Sequence, residues 1–275
     1  FSFREKPFKL VPNPAYLFLS KSHEETLAHL NYALSEGDGF VEITGEVGTG
    51  KTTLCRAFLE SLDADTIAAY IFNPRLGPRQ LIRAINDELG IKYDADNIKD
   101  LIDNLNSFLI HKKAQRKKVI LLIDEAQNLS RNVLEQLRLL SNLETNQEKL
   151  LQIILVGQPE LSDLIDSHEL RQLSQRITLR YQLAPLNFKE MVEYINYRIS
   201  IAAQKPGIKF SKAAFRRIYR YSKGIPRVIN ILCDRSLLTA FGLNRHKITG
   251  SIVRTSTREL KGHTAKKGFD LAVWN

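Results

Sequence analysis

A chain of 275 residues, 43% hydrophobic and 25% charged, with a net charge of +10, has the make-up of an ordinary soluble globular protein of one or two domains. Its only cysteines, Cys55 and Cys233, each sit inside an amphipathic helical pattern and read as buried reduced thiols, which excludes a disulfide framework. The longest apolar run of the core strands, Val119 to Ile123, is far short of the ~20 residues that cross a bilayer, and the positive charge permits a polyanionic partner without requiring one. No secretory signal opens the chain, and its start at Phe1 without Met is that expected of a fragment or a trimmed sequence.

The first twenty residues mix Phe1, Phe3, Phe8, Tyr16 and Phe18 with Pro7, Pro12 and Pro14, and read as an extended segment packed on the body. Ser22 and Glu25 suggest a capping box for a helix that turns Leu27, Leu30 and Leu34 inward and ends at Gly37-Asp38-Gly39. Phe40, Val41 and Ile43 are strand-like, and helical spacing resumes at Leu54, Ala57, Phe58 and Leu62. An apolar stretch from Thr66 to Phe72 stops at Asn73-Pro74, and helices are expected over Gln80 to Leu89 and Ile98 to Ile110. The basic run His111 to Lys118 reads as a solvated loop, with a docking surface as the alternative. Val119 to Ile123, leading into Asp124-Glu125, is unbroken and apolar, as in a strand covered on both faces. Val133 to Leu143 is helical, Leu151 to Val156 is another buried strand halted by Gly157-Gln158-Pro159, and Ile177 to Leu183 alternates as a fifth.

Strands alternating with helices predict an α/β fold, a five-stranded parallel sheet with helices on both faces. After Pro185 the pattern turns helical: Asn187 to Gln204, Ser211 to Ser222 with Ser211 as N-cap, Pro226 to Phe241, and Lys247 to Leu260, with no strand expected. The predicted domains are an α/β domain over 1–186 that includes the extended N-terminal segment, a small all-helical domain over 187–260, and a flexible tail over 261–275.

Residues 45 to 52 read Gly45-Glu46-Val47-Gly48-Thr49-Gly50-Lys51-Thr52, followed by Thr53, in a strand–turn–helix setting. That setting makes the pattern a phosphate-binding loop, in which glycines let the backbone curl and the new helix offers its positive end to phosphate oxygens. Lys51 would neutralise the β- and γ-phosphates, and the Thr52 hydroxyl would bind Mg²⁺. Asp124 would hold the same ion, directly or through water, and Glu125 would polarise the water that attacks the γ-phosphate. Gln158, ending the fourth strand, is placed to hydrogen-bond that water, or is a simple turn residue. Arg171 and Arg176, just before the fifth strand, and Arg227, after Gly224-Ile225-Pro226, are candidates for a second positive charge on the γ-phosphate. The alternative for each is a surface arginine at a helix end. The six histidines, His23, His29, His111, His168, His246 and His263, have no metal-ligand spacing, and none is assigned to metal.

With these motifs in this order the chain resembles an AAA+ ATPase over nearly all of residues 1–260. More narrowly it resembles the secretion-pathway protein A (ExeA/GspA-like) family, with its pilus-biogenesis and exopolysaccharide-export members. The segments that carry the resemblance are Lys6-Pro-Phe-Lys-Leu-Val-Pro-Asn-Pro14, Leu17-Phe18-Leu19, the phosphate loop through Arg56, Ile123-Asp-Glu-Ala-Gln-Asn-Leu129, Gly157-Gln-Pro-Glu-Leu161 and Leu170-Arg-Gln-Leu-Ser-Gln-Arg-Ile177. The resemblance implies a sheet of order 5-1-4-3-2 with a helical lid, ATP/ADP and Mg²⁺ as ligands, and nucleotide-dependent homo-oligomers such as a hexameric ring. It implies Arg176 as a finger acting in trans and Arg227 as the lid sensor. It further implies assembly or regulation of an envelope secretion, pilus or export complex, through an inner-membrane partner protein at the cytoplasmic face of the bacterial inner membrane. Longer members add a membrane span and a peptidoglycan-binding domain; neither is read here, so a chain cut before the span or a short cytoplasmic branch is expected. Gln158 departs from the Asn or Thr frequent in AAA+ proteins. A neighbouring resemblance, to transposition regulators of the TniB/TnsC type, implies assembly on DNA, which Arg216, Arg217, Arg220 and Lys223 would suit. A third reading is a nucleotide-gated scaffold with negligible hydrolysis.

Overall fold

The computed structural model describes residues 3–10, 16–37, 39–72, 74–93, 97–144, 149–204 and 207–266. Phe1, Pro12, Pro14, Asp38 and Asn73, named above, lie outside them, as do residues 267–275 of the expected tail. The chain forms two compact units, one of His23–Gly45 and Leu54–Leu183, the other of Phe1–Ser22, Glu46–Thr53 and Ala184–Asn275. The division expected at residue 186 follows chain order; by packing, the N-terminal segment and the phosphate loop go with the helical end.

The α/β unit runs through α1 (Lys21–Glu36, from His23 on), β1 (Phe40–Gly45), α2 (Lys51–Glu60, from Leu54 on), β2 (Thr66–Phe72), α3 (Pro78–Glu88), α4 (Ile98–Ala114), β3 (Lys118–Asp124), α5 (Arg131–Leu140), β4 (Gln152–Gly157), α6 (Pro159–Ile165), α7 (Arg171–Ser174) and β5 (Ile177–Leu183). The five strands make one parallel sheet in the order β2-β3-β4-β1-β5, the order expected. Alternate residues of each strand feed opposite cores. Val119, Leu121 and Ile123 of β3 join Ile153, Leu155, Leu81, Ile85, Leu105 and Leu137. Ile120 and Leu122 join Ile154, Val156, Val41, Ile43, Leu30 and Phe58 on the other face. A strand that is dry on both faces needs apolar residues at every position, which is why β3 and β4 read as unbroken runs. Each such side chain contributes about 1.5–3 kcal/mol by leaving water, well above any local propensity.

Two local expectations are corrected. Helix α1 begins at Lys21, so Ser22 is not its N-cap. The Ser22 hydroxyl accepts instead from the Ala184 amide (3.0 Å), and the Glu25 carboxylate accepts from the Tyr181 hydroxyl (2.8 Å). The basic run is not wholly a loop: α4 continues through Ala114 and takes His111, Lys112 and Lys113 into its last turn, where positive charge suits the carbonyl end of the helix.

The helical unit holds α8 (Phe188–Ala202), β6 (Lys209–Phe210), α9 (Lys212–Ser222), α10 (Pro226–Gly242), β7 (Lys247–Ile248) and α11 (Gly250–Lys266). Its core includes Phe8, Met191, Ile195, Ile218, Ile229, Leu232 and Val253. Asn187 and Glu190 form a reciprocal capping box on α8, and Ser211 caps α9 by accepting from the Ala214 amide (3.1 Å). No strand was expected here, yet β6 and β7 pair in parallel; two residues each are too few to carry an alternation signal. Helix α11 starts at Gly250 and passes the expected end at 260 to reach Lys266. The N-terminal segment is fixed by Arg198, which donates to the Pro7 carbonyl (2.7 Å), the Lys9 carbonyl (3.1 Å) and the Tyr194 hydroxyl (2.9 Å), with its guanidinium 4.8 Å from the Tyr16 ring centre. Both cysteines are buried free thiols, and no helix among the described residues is long and apolar enough to cross a membrane.

Candidate functional site

The loop that leaves β1 is in the helical unit, and its conformation follows from its glycines. Gly48 and Gly50 have φ of 85° and 109°, a region that costs an ordinary residue strain. The turn is closed by the Thr49 amide and hydroxyl, which donate to the Glu46 carbonyl (3.2 and 2.8 Å), and α2 then starts at Lys51. Lys51 is 5% exposed, and its ammonium donates to the Glu46 carbonyl at 3.1 Å. Within the same unit the Arg227 amide donates to the Gly48 carbonyl (3.2 Å). A Cβ on Gly48 would come within 2.5 Å of the Arg227 Cβ, so this approach requires glycine. The Arg227 position is set by Gly224, which has a φ of 85° and contacts Leu186 so closely that a Cβ would lie 2.0 Å from the Leu186 carbonyl oxygen. The Arg227 side chain itself is exposed.

The carboxyl ends of β3 and β4 build the second group of residues, in the α/β unit. Asp124 is fully buried at the end of β3. Its Oδ1 accepts from the Glu125 amide (2.9 Å) and its Oδ2 from the Tyr70 hydroxyl (3.2 Å). Burial, and then the Asp124 charge, push the Tyr70 phenol well above its usual range, so it stays protonated and remains a donor. Glu125 has a left-handed backbone, φ 57°, which turns the chain into a single 3₁₀ turn at Ala126–Asn128. Its Oε2 accepts from the Gln127 amide group at 2.7 Å and from that of Gln158 at 3.4 Å. The Gln127 carbonyl oxygen in turn accepts from the Gln158 backbone amide (3.1 Å). Gly157 leaves room for this link, since a Cβ there would be 2.9 Å from Gln127 Oε1.

Asp124, Glu125 and Gln158 are thus brought together, and Lys51 and Arg227 belong to a second set with the loop. Arg176 is engaged elsewhere. Its Nη1 donates to Ser141 Oγ (2.7 Å), Asn142 Oδ1 (2.5 Å) and the Arg138 carbonyl (3.3 Å), at the carbonyl end of α5. Arg171 is exposed in the first turn of α7. Sequence reading missed Gln127 and Tyr70. The only signal for Gln127 was its place two residues after Glu125; Tyr70 reaches Asp124 across neighbouring strands, β2 and β3 being paired with Tyr70 opposite Leu122.

The Thr52 hydroxyl and the Asp124 carboxylate are hard oxygen donors, the kind Mg²⁺ takes, and the curled loop with its buried lysine suits a phosphate chain. In donor chemistry, each set taken by itself fits one part of a magnesium–nucleotide ligand.

The family described as an AAA domain matches residues 34–165. Over 263 residues, 95% of this chain, the sequence is 47% identical to General secretion pathway protein A of Aeromonas hydrophila. The chain spans about half the length of that curated relative, 48% of it. Among solved structures it is similar to the Aeropyrum pernix ORC2 protein in its ADPNP–ADP complexes (TM-score 0.66, 16% identity, 94% of this chain and 72% of that one). It is also similar to Drosophila ORC bound to DNA (TM-score 0.70, 20% identity, 92% and 64%) and to the RuvB branch migration motor of Thermotoga maritima (TM-score 0.58, 22% identity, 88% and 70%). At such identities the structural likeness carries the fold alone. With the phosphate loop, the β2-β3-β4-β1-β5 sheet and the sequence relative taken together, the chain carries an AAA domain over residues 34–165 and is similar, over 95% of its length, to secretion-pathway protein A.

Proposed function

We propose that the chain binds Mg-ATP through residues 45–53 and hydrolyses it, coupling the cycle to assembly or regulation of an envelope secretion complex. The observation that carries the reading is the closed loop itself: two glycines at positive φ, a buried Lys51 at the first position of α2, and Arg227 fastened to Gly48. Mg²⁺, held by Thr52 and Asp124, would supply charge neutralisation between the β- and γ-phosphates. Lys51 neutralises the same phosphates from the protein side. Glu125 accepts the proton of the attacking water. Its Oε2 is occupied by the two glutamines, which leaves Oε1 for that water and fixes the direction in which it points. Gln158 and Arg227 read the γ-phosphate, Gln158 through its bond to Glu125 and Arg227 through its backbone bond to the loop.

In this reading the protein acts as a homo-oligomer, a hexameric ring being one such form. Arg176 reaches a neighbouring subunit's nucleotide, and an inner-membrane secretion or pilus-assembly protein is the partner at the cytoplasmic face. The name of the 47% identical relative supports secretion over the transposition-regulator reading, which rests on similar motifs and positive charge. The test is a pair of variants. Lys51→Ala abolishes ATP binding by calorimetry. Glu125→Gln retains binding but loses turnover by about 10²–10⁴-fold, the range a positioned base supplies. Near-normal ATP affinity in Lys51→Ala refutes the loop assignment. Binding without phosphate release in the wild-type chain, with or without its partner, identifies a gated scaffold instead.

A further inference from the structure

We propose that the cleft between α9 and α11 binds a compact phosphate-bearing anion, either the headgroup of an anionic lipid or a free phosphate ester. A cavity of about 380 Å³ is lined by Arg217, Arg220 and Tyr221 of α9 and by Arg254, Thr257 and Arg258 of α11. Residues 217 and 221, and residues 254 and 258, are each one helical turn apart, so each helix turns one face to the same volume. The lining is four guanidiniums and two hydroxyl groups, with no carboxylate. Among the described residues none of the four arginines makes an ion pair, and Glu259, the acid next to Arg258, is taken by Arg235 at 3.4 Å. The helices approach closely where Gly250 opens α11: a Cβ there would lie 3.2 Å from Ala213 Cβ and 3.2 Å from Arg217 Nε.

The charge of the whole molecule is concentrated in this region. Residues 207–266 contain fourteen lysines and arginines against two acids, Asp234 and Glu259, so they alone exceed the net +10 of the chain. Four like charges around one cavity repel one another and do nothing for the hydrophobic core beneath. An anion relieves that repulsion. Guanidinium forks match the paired oxygens of phosphate better than any other common anion group, and the Tyr221 and Thr257 hydroxyls can donate beside them. A duplex would call for a basic stripe that follows a groove, whereas this volume is local and walled by two helices, which favours one headgroup-sized ligand. The inference does not depend on nucleotide binding at residues 45–53.

The experiment uses the full chain at low ionic strength. Co-sedimentation is measured with phosphatidylcholine vesicles that do or do not contain phosphatidylglycerol, and glycerophosphate is titrated separately in solution. Arg217→Ala/Arg254→Ala is compared with Lys209→Ala/Lys247→Ala, which removes equal charge from β6 and β7. At about 1 kcal/mol per basic residue near an anionic surface, the arginine pair is expected to lose about thirtyfold in affinity and the lysine pair about threefold or less. Arg220→Ala/Arg258→Ala repeats the test from the other side of the cavity, and matching far-ultraviolet circular dichroism verifies that each variant is folded. Lys51→Ala keeps vesicle binding, which separates this site from the nucleotide loop. Binding to the anionic vesicles alone identifies a lipid headgroup; binding of glycerophosphate identifies a soluble ester. Equal losses in the arginine and lysine pairs, binding to neither probe, or displacement of the vesicles by duplex DNA at lower concentration overturns the proposal.

Discussion

Gln127 connects two side chains that sequence reading treated separately. Its amide group donates to Glu125 Oε2 while its carbonyl oxygen accepts from the Gln158 backbone, so a shift of either neighbour is felt by the other. Replacing it leaves Glu125 with the longer bond to Gln158 alone. Gln127→Ala is expected to lower kcat about tenfold, a part of what a positioned base supplies, with little change in KM for ATP. An unchanged kcat removes Gln127 from the positioning role. A second polar group, Glu42, lies almost wholly buried in β1, where its carboxylate accepts from the Ser162 hydroxyl (2.5 Å) and faces Arg180 Nε at 3.2 Å. Burial pushes the Glu42 carboxyl up, against the opposing pull of Ser162 and Arg180, whereas the Arg180 hydrogen bond holds Asp166 low. One guanidinium thus serves two acids whose surroundings drive them in opposite directions. Because the folded state holds the Glu42 proton more tightly than the unfolded chain does, this contribution to stability is full below the ordinary carboxyl range. It is lost as pH rises through the raised value. Glu42→Gln removes that titration, so the variant should gain stability relative to the parent as pH rises from the ordinary carboxyl range through the raised value, read by urea unfolding. A difference that stays flat with pH shows that Arg180 offsets the burial entirely.

At the scale of elements, the phosphate loop depends on one close approach. Gly48→Ala places a methyl group where Arg227 already is and adds the strain of φ 85°; Gly37→Ala has a similar φ, 75°, with nothing within 4 Å. Both should lose about 1–2 kcal/mol of stability through the left-handed backbone, but only Gly48→Ala should also weaken ATP binding. Thermal melts and ATP titrations separate the two effects, and equal ATP affinity in both variants means the Arg227 contact has no part in the site. The elements that could be read in advance are those with local causes. The loop and α2 follow from eight consecutive residues, and β3 and β4 from continuous apolar runs closed by Asp124 and by Gly157. The misread ones have distant causes. Ser22 and Glu25 look like a cap until Ala184 and Tyr181, 162 and 156 residues away, claim their side chains. β6 and β7 depend on each other's backbone and on almost nothing in their own two residues. The N-terminal segment was expected to pack, but its attachment to the helical unit is made by Arg198 through bonds 189 and 191 residues long in sequence, which no periodicity announces.

At the scale of the whole molecule, the proposed oligomer would have one subunit act on another through Arg176. Arg176 stands just before β5 and in this structure is bound within its own chain, with Nη1 on Ser141, Asn142 and the Arg138 carbonyl at the end of α5. A positive charge at a helix carbonyl end is worth about 0.3–1 kcal/mol, and each hydrogen bond to a charged group about 1.5–3 kcal/mol. An arginine held this way could serve as the proposed finger only if a neighbour's γ-phosphate offered more, so in the proposed oligomer assembly and nucleotide state would be coupled through the same guanidinium. Ser141→Ala together with Asn142→Ala removes two of the three acceptors and should raise turnover at low protein concentration if release of Arg176 limits it. Arg176→Ala should lose activity in either case. Mixing it with Lys51→Ala gives the decisive measurement. The Lys51→Ala subunit cannot bind ATP but still carries Arg176, and the Arg176→Ala subunit binds ATP but lacks the finger. If the arginine works across the interface, the mixture hydrolyses ATP at rates that neither variant reaches alone, with a maximum near equal proportions. If Arg176 serves only its own chain, every mixture stays at the weighted sum of two inactive parents. In that case the guanidinium is a cap on α5, its loss is seen in the melting temperature, and the second positive charge on the γ-phosphate falls to Arg171 or Arg227.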